Sequence, residues 1–329
     1  MTDWPAVSVV LPVLNEERHL RSAVSSVLDQ DYPGELEVVL AMGPSKDGSE
    51  AVAVELASDT RVRVVRNPTG RTPNGLNLAV AASRFPIVAR LDGHSQLPSA
   101  YLRNAVELLE RTGADNVGGL MSATGVTDLE QAIATAMTSR LGVGNAPFHV
   151  GGEDGPADTV YLGVFRRTAL DRVGGYDETF SRAQDWEMNY RIRESGGQVW
   201  FSSSLSVAYR PRSSLTALAR QYFHYGRWRR HVMRTHPGSV NLRYLAPPLA
   251  LLGVLVGLVG LVVGSVVSTP LAVAALALPA GYVALVIAGS LVVGSGLPWR
   301  ARLYLPVVLA AMHMSWGAGF LTSRESRLR

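Results

Sequence analysis

Along the first part of the chain, strand-length apolar runs alternate with stripes of apolar residues at helical spacing. Val7–Val13 is a β-branched run, and 16–28 then carries Leu20, Val24 and Val27 on one helical face. The same reading predicts strands at 36–40 and 62–65, with helices at 49–57 and 74–82. A short apolar run from Phe85 stops abruptly at Asp92, with His94 two residues on. Beyond it the pattern predicts a helix at 101–110, a strand at 116–121, a helix at 128–139, a strand at 159–166 and a helix starting near Asp185. Residues 142–156, rich in Gly and Pro, read either as a loop that orders on substrate binding or as a plain linker. Alternation of this kind implies an α/β domain with a mainly parallel sheet, whose ligands gather beyond the C-terminal ends of the strands.

From Tyr244 through Trp299 there is no charged side chain, which divides the chain into a soluble part and a membrane part. The stretches 245–267 and 271–293 are long enough to cross a bilayer; 303–321, interrupted by Pro306 and His313, is a third candidate. Three spans would carry Arg324, Arg327 and Arg329 outward, against the usual charge bias, so two spans with a re-entrant or interfacial last segment remain the alternative. The helix expected at 215–232 puts Leu215, Leu218, Tyr222 and Tyr225 on one stripe, with Arg220, Arg227, Arg229 and Arg230 close by, as a helix lying on an anionic membrane face would. No signal peptide is evident, so the N-terminal domain is expected to stay cytoplasmic and the chain to be a multi-pass protein of the cytoplasmic membrane. Without cysteine, disulfide, thiolate-metal and cysteine-nucleophile chemistry are excluded. The formal charge of +4, with no basic groove studded by aromatics, gives nucleic acid binding no support.

Three polar clusters fall at successive strand ends: Pro12-Val13-Leu14-Asn15-Glu16, Gly43 to Ser49, and Asp92-Gly93-His94. Each alone is also what a turn or helix cap looks like, with Ser45, Asp47 and Asn74 credible caps. Further on, Gly174-Gly175-Tyr176-Asp177 precedes Gln184-Asp185-Trp186-Glu187-Met188-Asn189-Tyr190-Arg191, where Asp185 would cap a helix stiffened by a Glu187–Arg191 pair. In this order the segments resemble glycosyltransferase family 2. The first is similar to its P-x-x-N-E strand, Ser45 to Ser49 to its S-x-D-G-S/T nucleotide loop, and the Asp185 segment to its E/Q-D-x-E-L/M-x-x-R signature. Asp92-Gly93-His94 stands where that family has D-x-D. The pattern is nearest to membrane-tailed enzymes of the succinoglycan-biosynthesis type.

That resemblance implies a GT-A (Rossmann-like) catalytic domain over 1–212, an interfacial helix and linker over 213–244, a membrane domain of two or three spans over 245–323, and a basic tail over 324–329. It implies an inverting transferase that moves a sugar from a nucleotide-diphosphate donor to a hydroxyl of a lipid-linked or polysaccharide acceptor. Pro12, Asn15, Glu16, Asp47 and Asp92 would bind the donor, Asp185 would be the catalytic base, and Asp92 with His94 would hold Mn2+ or Mg2+. Gln221 to Trp228 resembles loosely, at different spacing, the family's Q-x-x-R-W segment, so Gln184, Gln221, Arg227 and Trp228 are candidates for contact with the acceptor or product phosphate; Trp228 equally suits interfacial anchoring. Alternatives are a polyprenyl-phosphate sugar synthase and a non-catalytic, nucleotide-sensing component of a membrane assembly.

Overall fold

The computed structural model describes residues 4–324. Of the expected basic tail, only Arg324 falls within them. The chain folds as two compact units, 1–122 with 151–209 and 123–150 with 210–329. This differs from the contiguous 1–212 domain expected from sequence, because residues 123–150 pack with the C-terminal part.

The first unit is built on one eight-stranded sheet. In chain order its elements are β1 (Val7–Val13), α1 (Leu20–Leu28), β2 (Leu36–Met42), α2 (Ser49–Leu56), β3 (Val62–Arg66), α3 (Thr72–Ala82), β4 (Ile87–Arg90), α4 (Tyr101–Thr112) and β5 (Asn116–Ala123). In the other unit lie α5 (Asp128–Met137), α6 (Arg140–Val143) and α7 (Pro147–Val150). Back in the first come β6 (Gly155–Pro156), β7 (Tyr161–Arg166), α8 (Arg167–Val173), α9 (Gln184–Glu194) and β8 (Val199–Tyr209). The strand order is β3-β2-β1-β4-β7-β5-β8-β6. The first four strands are parallel, as the strand-helix alternation requires, and β7 pairs antiparallel with both β4 and β5. One face of the central strands is covered by α1, so Val7, Val9, Leu11, Val38 and Leu40 are fully buried with Leu20, Val24 and Val27; the other face is buried too and holds the Ser8–Glu37 hydrogen bond among its apolar residues. Between β5 and β8 the backbones come so close that a Cβ on Gly119 would overlap the Leu205 carbonyl.

Several local expectations change. The helix expected from 16 starts at Leu20, since Glu16 and its neighbours are used in a turn. α2 begins at Ser49 after Gly48 with no side-chain cap, and α3 begins at Thr72 with Pro73 in its first turn, so Asn74 lies inside the helix. The Gly-rich stretch contains α6, α7 and β6.

The second unit continues with α10 (Leu215–Thr235), α11 (Ala246–Val267), α12 (Thr269–Val293) and α13 (Trp299–Leu321). Three helices, over Leu242–Val267, Thr269–Val293 and Trp299–Leu321, are long and apolar enough to cross a membrane. α5 starts with a capping box, Thr127 accepting from the Glu130 N–H while Glu130 accepts from the Thr127 N–H.

Candidate active site

The C-terminal ends of β1 and β2 are sewn together. Asn15, at a φ of 58°, turns the chain so that its N–H donates to Ser45 Oγ (3.0 Å) and its Oδ1 accepts from the Lys46 N–H (2.8 Å). The Glu16 N–H donates to Ser49 Oγ (2.7 Å) and the Glu17 N–H to Asp47 Oδ2 (3.1 Å). Asp47 also accepts from the Ser49 hydroxyl (2.5 Å), and these bonds, the hydroxyl's foremost, hold its pKa below the usual carboxylate value. The two loops thus present one polar rim with an ionised carboxylate.

At the end of β4 the structure reveals what periodicity could not. Arg90 is buried, its side chain 6% exposed, and forks to two carboxylates. Nε and Nη2 donate to Asp92 Oδ1 at 3.1 and 2.9 Å, and Nη1 donates to Asp185 Oδ1. The carboxylates are more open, with side chains 23% exposed for Asp92 and 40% for Asp185. A sealed guanidinium therefore positions two acids that remain reachable by a ligand. Burial, and secondarily the Asp92 charge, push the Asp185 pKa above that of an ordinary aspartate, while the Arg90 guanidinium opposes them. A carboxylate of raised proton affinity is the better acceptor of a proton from a hydroxyl.

Asp185 does not cap α9. It is the second residue of that helix, and the N-cap is Ala183 in the left-handed region (φ 59°) with no side-chain cap. That rare conformation in a non-glycine residue costs on the order of 1–3 kcal/mol and sits immediately before the acid it aims. The helix behind it is firmly held. Glu187 is buried and accepts from Arg191 Nε (2.6 Å) and Nη2 (2.7 Å); the expected pair is real. Arg191 also donates to the carbonyls of Val173 and Gly175, which ties the Gly-Gly-Tyr-Asp turn to α9. Gly174 and Gly175, at φ 74° and 75°, supply the left-handed backbone of that turn. From α3, Asn77 pairs in both directions with the Tyr176 backbone at 2.8 Å, and Asn189 of α9 links to Asn116 (2.6 Å) and Thr159 (2.8 Å).

His94 Nδ1 meets Glu16 Oε1 at 2.9 Å, which joins the third strand-end cluster to the first. Among the described residues, no group of three or more His, Asp or Glu could hold a metal ion. Asp92 has one oxygen engaged by Arg90, and a ligand role for His94 would fall to Nε2. With at most two protein donors, Asp92 and His94, a cation here would need phosphate and water oxygens to fill its shell.

Of the other candidates, Pro12 lies in β1 opposite Ala41 of β2, and Gln184 is the first residue of α9. Gln221, Arg227 and Trp228 belong to α10 in the second unit. There Trp228 is 4% exposed, Gln221 Nε2 donates to the Tyr225 hydroxyl (2.8 Å), and the Arg227 guanidinium lies 6.0 Å from the Phe223 ring centre. Arg90 is the residue that sequence reasoning missed; an arginine inside an apolar strand, two residues before an acid, was its only signal.

A mostly parallel sheet with polar strand ends, and an acid carried to them by a later helix, is the arrangement of a GT-A-like fold, and the family model of glycosyl transferase family 2 matches residues 8–174. The chain belongs to that family and is a glycosyltransferase. It is 32% identical to the succinoglycan biosynthesis protein ExoA of Rhizobium meliloti, over 95% of this chain and 93% of that protein. A dolichyl N-acetyl-alpha-D-glucosaminyl phosphate 3-beta-D-2,3-diacetamido-2,3-dideoxy-beta-D-glucuronosyltransferase of Methanococcus voltae is 22% identical over 73% of this chain and 77% of its own. Among solved structures, the mannosyltransferase PcManGT from Pyrobaculum calidifontis, in complex with GDP-Man and Mn2+, shares the fold at a TM-score of 0.60 and 20% identity, covering 94% of this chain and 86% of that one.

Proposed function

We propose that the enzyme is an inverting transferase working at the cytoplasmic face of a membrane, moving a sugar from a nucleotide-diphosphate donor to a hydroxyl of a lipid-linked or polysaccharide acceptor. The observation that carries this reading is the Arg90 fork, which keeps a reachable acid, Asp185, beside Asp92 at the strand ends. The donor lies along the rim made by Pro12, Asn15, Glu16 and Asp47, with its diphosphate toward Asp92. Asp185 takes the proton of the acceptor hydroxyl as that oxygen attacks the anomeric carbon. The bond from that carbon to the diphosphate breaks, the nucleoside diphosphate leaves with the electron pair, and a single displacement inverts the centre.

A divalent cation, Mn2+ or Mg2+, held by Asp92 and His94, would offset charge on the leaving diphosphate. The name of the Methanococcus voltae relative pairs a dolichyl-linked sugar phosphate with glycosyl transfer, which supports a lipid-linked hydroxyl acceptor for this membrane-tailed chain. In this reading Gln184 is the acceptor-side neighbour of Asp185, whereas Gln221 and Trp228 are used in helix packing.

The test is calorimetric titration with a panel of nucleotide sugars, followed by turnover with lipid-extract acceptors. Saturable binding of one donor and turnover that depends on Asp185 are expected. Turnover indifferent to Asp185 would instead indicate a phosphate acceptor, which is already ionised and needs no base.

The metal is tested separately. Imidazole suits first-row transition ions better than Mg2+, so wild type is expected to prefer Mn2+, and His94→Asp to regain use of Mg2+. Equal activity with both ions, and an unchanged preference in His94→Asp, would confine His94 to its bond with Glu16.

A further inference from the structure

Three helices of the second unit suit a membrane by length and composition, yet they do not make equivalent contacts. α11 and α12 form an antiparallel hairpin. A Cβ on Gly264 would press on Ala272 near the turn, and one on Gly257 would press on Pro279 and Ala275 further along. The open end of this hairpin holds the start of α11 and the end of α12. α13 touches both. Near its beginning, Leu305 and Arg302 lie against Gly294, just past α12, and near its end Gly317 lies against Pro247 and Pro248, at the start of α11. Between these, the Tyr282 hydroxyl, halfway along α12, meets His313 Nδ1 at 3.2 Å, so α13 slants across the open half of the hairpin with both of its ends at that open end.

What packs on α13 points the same way. α10 runs beside it in the same direction, Phe223 meeting Gly319 and the Arg227 carbonyl accepting from Ser323 Oγ (3.0 Å). The approach is close enough that a Cβ on Gly226 or Gly319 would overlap a carbonyl of the other helix. Arg230 Nη1 donates to the carbonyls of Phe320 and Leu321 (2.9 Å each), satisfying the last turn of α13. α5 also packs on α13. The apolar window of α13 is accordingly 39% buried, against 11% in each of the other two helices. Were α13 to span, α10 would be drawn into the membrane beside it, taking Arg220 into hydrocarbon and carrying Arg227, Arg229, Arg230 and Arg234, which lie level with the end of α13, to the far side against the usual charge bias.

We propose that α13 does not cross the bilayer. It lies in the interface and, with α10, forms a basic platform that seats on anionic lipid headgroups, so that α11 and α12 alone span. Trp299, Tyr304 and Trp316 on α13 and Tyr225 on α10 suit the headgroup level, and Arg300 and Arg302 reach the anionic layer. Both ends of the chain then share one side of the membrane.

The chain has no cysteine, so single cysteines can be read without background. Ser58→Cys in the first unit, Ser268→Cys in the hairpin turn and, separately, Thr322→Cys and Arg324→Cys past α13 all lie at exposed positions. In sealed vesicles treated with a membrane-impermeant maleimide, the positions past α13 are expected to label from the same side as Ser58→Cys, and Ser268→Cys from the other. Labelling of Thr322→Cys and Arg324→Cys together with Ser268→Cys would mean three spans and overturn the proposal, as would labelling of all four from one side. Depth gives a second measure. A nitroxide at Val307→Cys, exposed on α13, should report headgroup depth in phosphatidylethanolamine–phosphatidylglycerol vesicles, while one at Val259→Cys, exposed on α11, reports the hydrocarbon interior. Equal, deep positions would also overturn it. None of these outcomes depends on the donor, the acceptor or the role of Asp185.

Discussion

Asp185→Asn is expected to lower turnover by about two or more orders of magnitude, roughly what a positioned general base contributes. Asn keeps the size and can still accept a hydrogen bond from Arg90, so the change removes the proton acceptor with little disturbance of the fork. Donor affinity, measured by calorimetry, should hardly move. The pH profile of the wild type carries a second signature. Burial and Asp92 raise the proton affinity of Asp185, and the base works only when ionised. Activity should therefore fall with acidification at a pH above the value of about 3.9 set by an ordinary aspartate. An Asn variant with ordinary turnover on a hydroxyl acceptor would remove Asp185 from the chemistry.

Arg90→Gln should lower kcat on the order of 100-fold, the scale of loss when a reacting group is misplaced by about 1 Å. The guanidinium acts through Asp92 and Asp185, to which it donates; it is a positioning residue that keeps two like-charged carboxylates at working distance. Arg90→Lys keeps the charge but has no planar fork, so it should recover part of the loss and no more. Because Arg90 and Asp185 act as one unit, the double variant should be scarcely slower than Asp185→Asn alone. If the two losses multiply in the double variant, or if Arg90→Gln lowers only thermal stability while the folded fraction keeps its kcat, the positioning role is wrong. Asp92 is the complementary case: its loss should act on donor affinity first.

Most of the order of strands and helices, the polar clusters at three strand ends and the Asp185 helix were legible in the sequence. Each depends on interactions within a few residues: apolar periodicity, Pro and Gly at turns, and a Glu187–Arg191 pair one helical turn apart. β8 escaped because Ser202-Ser203-Ser204 interrupts its apolar pattern; the strand exists through its neighbours in the sheet and through Asp154, which accepts from Ser202 Oγ and the Ser203 N–H. The capping expected of Asn74 and Asp185 gave way, whereas Asp47 does accept from the N–H of Ser49, the first residue of α2 (3.1 Å). Asp47 also bonds across to Glu17, Asn74 to Glu178, and Asp185 to Arg90, and partners that distant in the chain leave no local periodic trace.

The sequence by itself determined that this is a sugar transferase with an apolar tail, because motif chemistry and hydropathy are properties of short segments. Only the tertiary structure decided that one buried arginine serves both acids, and that residues 123–150 pack with the C-terminal helices. The same holds for the third apolar helix, which slants across the hairpin's open half. Those outcomes turn on which surfaces meet after the chain has closed loops of tens to hundreds of residues, and composition and spacing carry no record of that.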